Sequence, residues 1–135
     1  MNKHEEIINT LKNYLIIKGN VIVEPTIDLD FGSNKFRPDL LFENNNSGGK
    51  VIIEVKNNEN NLNISLGTLS YITDLKQFLD TKTNYKFVVI FTKDLSPNFS
   101  TLISGRVTYY SLKENSIENI ANFIYEKTIP NNPNK

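Results

Sequence analysis

The chain has 135 residues, with 15 basic and 15 acidic side chains, one histidine and no cysteine. This length suits a single domain whose core folds without covalent staples, and the lack of cysteine excludes disulfides and thiolate metal sites. A formal net charge of zero argues against the broad basic face typical of duplex-binding proteins, and no apolar run approaches the roughly 20 residues that span a bilayer.

The N-terminal stretch MNKHEEIINTLKNYL carries acids at amphipathic spacing and does not read as a signal peptide. A cytoplasmic protein with no membrane partner is expected. Residues 1–68 hold 7 basic and 9 acidic side chains and residues 69–135 hold 8 and 6, so the two halves differ only by −2 against +2. Any nucleic-acid contact would therefore come from a local basic rim or a dimer groove.

Taken in order, residues 3–18 predict an amphipathic helix with Ile7, Ile8, Leu11, Tyr14 and Leu15 on one stripe, closed by Gly19. Residues 21–31 predict a strand, with Pro25 marking an edge or a bulge. A turn at 32–34 leads to a second strand over 37–43. The polar loop 44–49 leads to a third strand over 51–56. There Val51, Ile53 and Val55 share one face, and Ile52, Glu54 and Lys56 share the other. The Asn-rich stretch 57–63 reads as a loop, as does the Asn run at 44–46, and both suit biased composition better than a function.

A helix is predicted over 65–79, with Leu69, Ile72, Leu75 and Leu79 inward. The continuous apolar run 86–92 marks a strand buried on both faces. Ser96–Pro97 opens a short helix to 103, residues 106–112 form a last strand, and 114–127 a last helix with Ile117, Ile120, Ala121, Ile124 and Tyr125 inward. The domain is expected to span 1–129, with 130–135 a disordered tail. The order αβββαβαβα implies a mixed sheet covered by helices, an α/β (α+β) class.

The chemistry gathers in FRPDLLFENNNSGGKVIIEVK, residues 36–56. Asp39 opens the second strand, and Glu54 and Lys56 end the third. Antiparallel pairing brings two carboxylates and an ammonium to one end of the hairpin, a site for a divalent cation and an anionic substrate. Read singly, Asp39 is a residue starting a strand after a turn, and Glu54 and Lys56 are a solvated same-face pair. Charged groups ending an otherwise apolar strand favour the joint reading, a sheet end beside a cleft.

Pro38-Asp39 followed by Glu54-Val55-Lys56, in an αβββαβ order over residues 3–92, resembles the PD-(D/E)XK nuclease superfamily. The resemblance covers about two thirds of the chain and implies a restriction endonuclease-like core. It implies Asp39, Glu54 and the Val55 carbonyl as ligands of Mg²⁺ or Mn²⁺, and Lys56 as the group that orients or deprotonates the attacking water. The implied activity is metal-dependent endonucleolytic hydrolysis of DNA, restriction-like or junction-resolving. A homodimer is expected, because cutting both strands of a duplex takes two sites related by a two-fold axis. A partner protein supplying specificity is the other partner considered.

The pattern departs from the family in two places. The usual helix-one acid position holds His4, which reads as a ligand, a proton carrier or a surface residue, the last preferred, with Glu5 the next candidate acid. The helix after the third strand has Gly67 and Thr68 where family members place a Gln, Gln77 is too far along, and Tyr71 reads as packing. The loop residues Ser33, Lys35 and Arg37 are loosely similar to a basic loop of small Holliday-junction resolvases; Lys35 and Arg37 read as phosphate contacts or as ordinary surface charges, the latter preferred. These departures sustain an alternative function, a catalytically inactive module of the same fold that binds nucleic acid or a partner protein. An α/β domain with unrelated ligand chemistry finds no support, since the chain has no phosphate-cradling Gly loop, nucleophile elbow or His/Cys cluster.

Overall fold

A computed structural model of the chain describes residues 2–25, 27–31, 34–58 and 66–130. Its elements are α1 (Lys3–Leu15), β1 (Asn20–Val23), β2 (Ile27–Phe31), β3 (Asn34–Phe36), β4 (Leu40–Glu43), β5 (Lys50–Lys56), α2 (Leu66–Lys82), β6 (Lys86–Phe91), α3 (Pro97–Ile103), β7 (Thr108–Ser111) and α4 (Ile117–Lys127). Five strands form one mixed sheet in the order β1-β4-β5-β6-β7. The first three run antiparallel to their neighbours, and β5, β6 and β7 run parallel. Parallel neighbours need crossovers, and α2 and α3 supply them.

The alternation within strands sorts the core into two layers. Leu40, Phe42, Val51, Ile53, Val55, Val88 and Ile90 pack with α1 and α4 on one face. Leu41, Ile52, Phe87, Val89 and Phe91 pack with α2 and α3 on the other. The expected split of β5 into two faces is therefore present, with Ile52 and Glu54 directed toward the α2 side. Among the described residues no helix is long and apolar enough to cross a membrane.

The first expected strand is a correction: VIVEPTIDLDF is two strands in two sheets. β1 ends before Glu24, which takes a left-handed backbone at φ 46°, and Pro25 has no N–H to continue a ladder. β2 then pairs with β3 as a separate ribbon, inserted between the first and second core strands. The second core strand is shorter than expected, beginning at Leu40 and leaving Arg37 exposed before it. The αβββαβ core order is otherwise present as α1, β1, β4, β5, α2 and β6. Residues 32–33, the loop at 59–63 and the tail beyond 130 lie outside the described residues.

Helix α1 opens with Asn2 accepting the Glu5 N–H at 2.8 Å and ends three residues earlier than expected. Ile7, Ile8, Leu11 and Leu15 are buried, whereas Tyr14 is 36% exposed. At 100° per residue Tyr14 lies roughly 75° from the centre of that stripe. Gly19 works by close approach: a Cβ there would stand 2.3 Å from the Glu43 carbonyl and 2.9 Å from the Phe42 ring. Gly19→Ala should therefore overpack the α1–β1 corner and lower stability by about 1–3 kcal/mol, read as a fall in urea midpoint at constant m-value.

Candidate functional site

The open end of the β4–β5 pair carries the charged residues. Leu40 sits opposite Ile53, so Asp39, one residue before β4, meets the segment at Glu54 and Val55. Two hydrogen bonds lock this meeting. The Asp39 N–H donates to Glu54 Oε1 at 2.9 Å, and the Val55 N–H donates to Asp39 Oδ2 at 2.7 Å. The Asp39 carbonyl in turn accepts the Glu24 N–H at 2.9 Å, so the left-handed residue that ends β1 also anchors this strand entry.

Glu54 is 8% exposed. Burial pushes its carboxyl up to about 7, the nearby Asp39 charge adds to the rise, and Lys56 opposes it. Lys56 Nζ lies 3.6 Å from Glu54 Oε2, on the strand face they share. That ammonium is one-third exposed and offsets only part of the cost of burying the acid. Two carboxylates held together in a poorly hydrated place are an arrangement that a further cation completes.

His4 and Tyr71 extend the group, and both differ from expectation. His4 stands 3.3 Å from Asp39 Oδ2 through Nε2. A carboxylate only accepts, so Nε2–H donates. The reason is geometric: at helical spacing His4 falls at the centre of the buried α1 stripe, directed at the sheet. It is a partner of Asp39, in place of the surface residue expected. Tyr71 is 39% exposed, so it is not core packing. Its phenol is held above the usual range by burial and by the Glu54 charge.

Of the other candidates, Glu5 is exposed, and Arg37 is exposed. Lys35 falls in β3, and Ser33 lies outside the described residues. Gln77 lines a groove with Asp80 and Arg106, away from Glu54. Sequence reasoning missed Asn58, which is 5% exposed. Its side chain accepts the Lys93 N–H at 2.9 Å and donates to the Lys93 carbonyl at 3.1 Å, while its own N–H donates to Thr92 Oγ1 at 3.0 Å. This clamp ties the ends of β5 and β6 together. Its place in an Asn-rich run hid it.

The donor set can be tested against a divalent metal. Among the described residues no group of three or more His, Asp or Glu side chains is gathered as a metal cluster, and His4 is committed to Asp39. The oxygens on offer are Asp39 Oδ1, Glu54 Oε2, which Lys56 Nζ approaches at 3.6 Å, and the Val55 carbonyl, which faces the same neighbour as the Val55 N–H. Two carboxylates with a carbonyl, leaving room for water, fit a small hard cation such as Mg²⁺.

No protein-family model matches the chain, and no curated protein matches it in sequence. Two of the solved structures it superposes on share its fold. Protein VC1899 from Vibrio cholerae superposes with a TM-score of 0.55 at 14% identity, over 90% of this chain and 31% of its own. A protein of unknown function, AF1548, gives a TM-score of 0.59 at 9% identity, over 92% and 65%. A repair endonuclease from Pyrococcus abyssi gives 0.49 at 14% identity, over 82% and 46%. The chain spans less than two thirds of the length of each. The mixed α/β architecture, with a five-stranded sheet between helices, agrees with the restriction endonuclease-like core that the sequence implies.

The raised Glu54 carboxyl has a sign that can be checked. Its proton is bound in the native state and lost from the unfolded chain between the ordinary 4.5 and about 7, so this group lowers stability as pH rises through that window. In metal-free buffer Glu54→Gln, which keeps the Oε1 acceptor, should raise stability at pH 8 by on the order of 3 kcal/mol. The gain should vanish near the ordinary carboxyl range. Urea midpoints across pH measure it, and a pH-independent difference would show that Glu54 is not buried as a strained acid.

Proposed function

We propose that this chain is a nuclease domain that hydrolyses phosphodiester bonds in DNA with Mg²⁺ or Mn²⁺. The observation that carries this reading is the pairing of Asp39 with buried Glu54, cross-bonded through their backbones and flanked by Lys56. When bound, the metal supplies Lewis acidity and a water of lowered pKa. Asp39 Oδ1, Glu54 Oε2 and the Val55 carbonyl would hold it.

The chain's own groups then divide the work. Lys56 stands on the exposed side of Glu54, where its ammonium offsets phosphate charge and orients the attacking water. His4 donates to Asp39 Oδ2, which fixes the carboxylate. Tyr71 bounds the site from α2 and restricts where the backbone of the nucleic acid can lie. With a formal charge of zero, the chain would reach a duplex as a homodimer, two sites facing two strands, or with a partner protein that adds specificity.

A second reading is favoured by one observation, the His4–Asp39 hydrogen bond in the place where an acid would complete a three-carboxylate set. On that reading the domain binds nucleic acid or a protein without cleaving. A panel of duplex, junction, flap and single-stranded DNA incubated with Mn²⁺ separates the two. Cleavage should fall by about 10²-fold or more in Lys56→Ala and be abolished in Asp39→Ala. Calorimetry should register Mn²⁺ binding that Asp39→Ala removes. Cleavage that survives both substitutions would sink the site, and metal binding without cleavage of any substrate would select the second reading.

A further inference from the structure

The three parallel strands do not send their chains to the same side. β5 leads to α2 and β6 leads to α3, and both helices pack on the face that holds Ile52 and Val89. β7 leads to α4, which packs on the opposite face with Ile120, Ala121 and Ile124. The connections therefore part between β6 and β7. In open α/β sheets a crevice forms outside the carboxyl ends of strands where their connections diverge, and ligands bind there. A cavity of about 450 Å³ lies at that point, between the β6–α3 loop and the β7–α4 turn. The volume falls within the range of small-molecule sites, about 300–1,000 Å³.

The lining indicates what fits. Tyr109 is fixed by an edge contact to Phe91, with ring centroids 5.9 Å apart at 74°, and by a 2.8 Å hydrogen bond to Ser100. Tyr110, the next residue on β7, turns its ring to the opposite face, where it stacks on Phe123 at 5.2 Å. The rigid Tyr109 wall suits a flat ring. The charged groups are Lys93, Asp94 and Glu114, one cation against two anions, which disfavours a phosphate. Carboxylates instead accept from exocyclic amino groups of bases.

The crevice also lies in register with the acid site. Glu54 pairs with Val89, and Val89 pairs with Tyr109, so all three share one row and one face. Two strand spacings, roughly 10 Å, separate Tyr109 from Glu54. The Asn58 clamp on Lys93 and the Thr92 N–H bond to the Lys56 carbonyl at 3.2 Å hold the crevice wall against the end of β5.

We infer that this crevice is a base-binding subsite, which takes an amino-bearing nucleobase from the strand whose phosphate lies at Lys56 and so gives the domain a base preference beside the scissile bond. The identity of the ligand rests on the nuclease reading; the crevice itself rests on topology and lining.

The test is binding of single nucleotides to the full chain in EDTA, followed by backbone amide chemical shifts. dCMP, dAMP and dGMP should give saturable shifts at residues 93–95 and 111–115, with dCMP binding roughly fivefold more tightly than TMP. Asp94→Asn with Glu114→Gln, both at the surface, should erase that preference while the protein stays folded. Cleavage by that variant should continue with the flanking-base preference lost. Shifts confined to the neighbourhood of Lys56, no saturable shift at all, or an unchanged preference in the double variant would each overturn the subsite. None of those results would touch cleavage itself. Conversely, nucleotide binding at the crevice in a protein that cleaves no DNA would uphold the subsite and discard the nuclease reading.

Discussion

The reciprocal pair of bonds between Asp39 and the 54–55 segment is the constraint on which the rest depends. Each carboxylate takes a backbone N–H from the other's strand region, so neither acid can leave without orphaning a main-chain donor. Such charge-assisted bonds are stronger than neutral ones, and they hold two like charges together against their repulsion. The sheet around them exists to make this tolerable. β5 is buried from Val51 to Val55, and its two layers of packing fix the register that sets Asp39 opposite Glu54.

The same constraint explains the tension in the site. The core gains from burying β5, and burial removes water from Glu54. Lys56 is too exposed to compensate fully. A protein selected for stability alone would place an amide or an aliphatic residue there. An acid carried at this cost makes position 54 a functional-site candidate.

Much of this was legible in the residues. The helical stripe of α1, the apolar run of β6 and the alternation along β5 each follow from periodicities of 3.6 or 2.0, and the Asp39–Glu54–Lys56 meeting follows from antiparallel pairing. The break at Glu24–Pro25 is less legible, because the β-forming residues on both sides mimic one strand: Pro25 marks an irregularity, and the backbone angle at Glu24 shows that it divides two sheets. His4 was placed on the correct helical position, yet its contact with Asp39 needs the packing of α1 on the sheet, which no local pattern encodes. Tyr71 reads as packing in the sequence, and its exposure shows only once α2 is packed on the sheet. Asn58 and Asn44 belong to runs that look compositional, but Asn44 donates to Thr128 Oγ1 at 3.0 Å, and each is buried. Buried polar side chains with full sets of partners are visible only in three dimensions.

The Asn58 clamp carries a consequence for energetics. Because one amide side chain holds both the N–H and the carbonyl of Lys93, the ends of β5 and β6 behave as a single rigid body. Their mutual freedom is surrendered when the chain folds. Any ligand that binds beside them meets walls already in place, and association has less disorder to remove. An uncharged asparagine, outside any acid–base chemistry, thereby lowers the ordering cost that a ligand at this end of the sheet would meet.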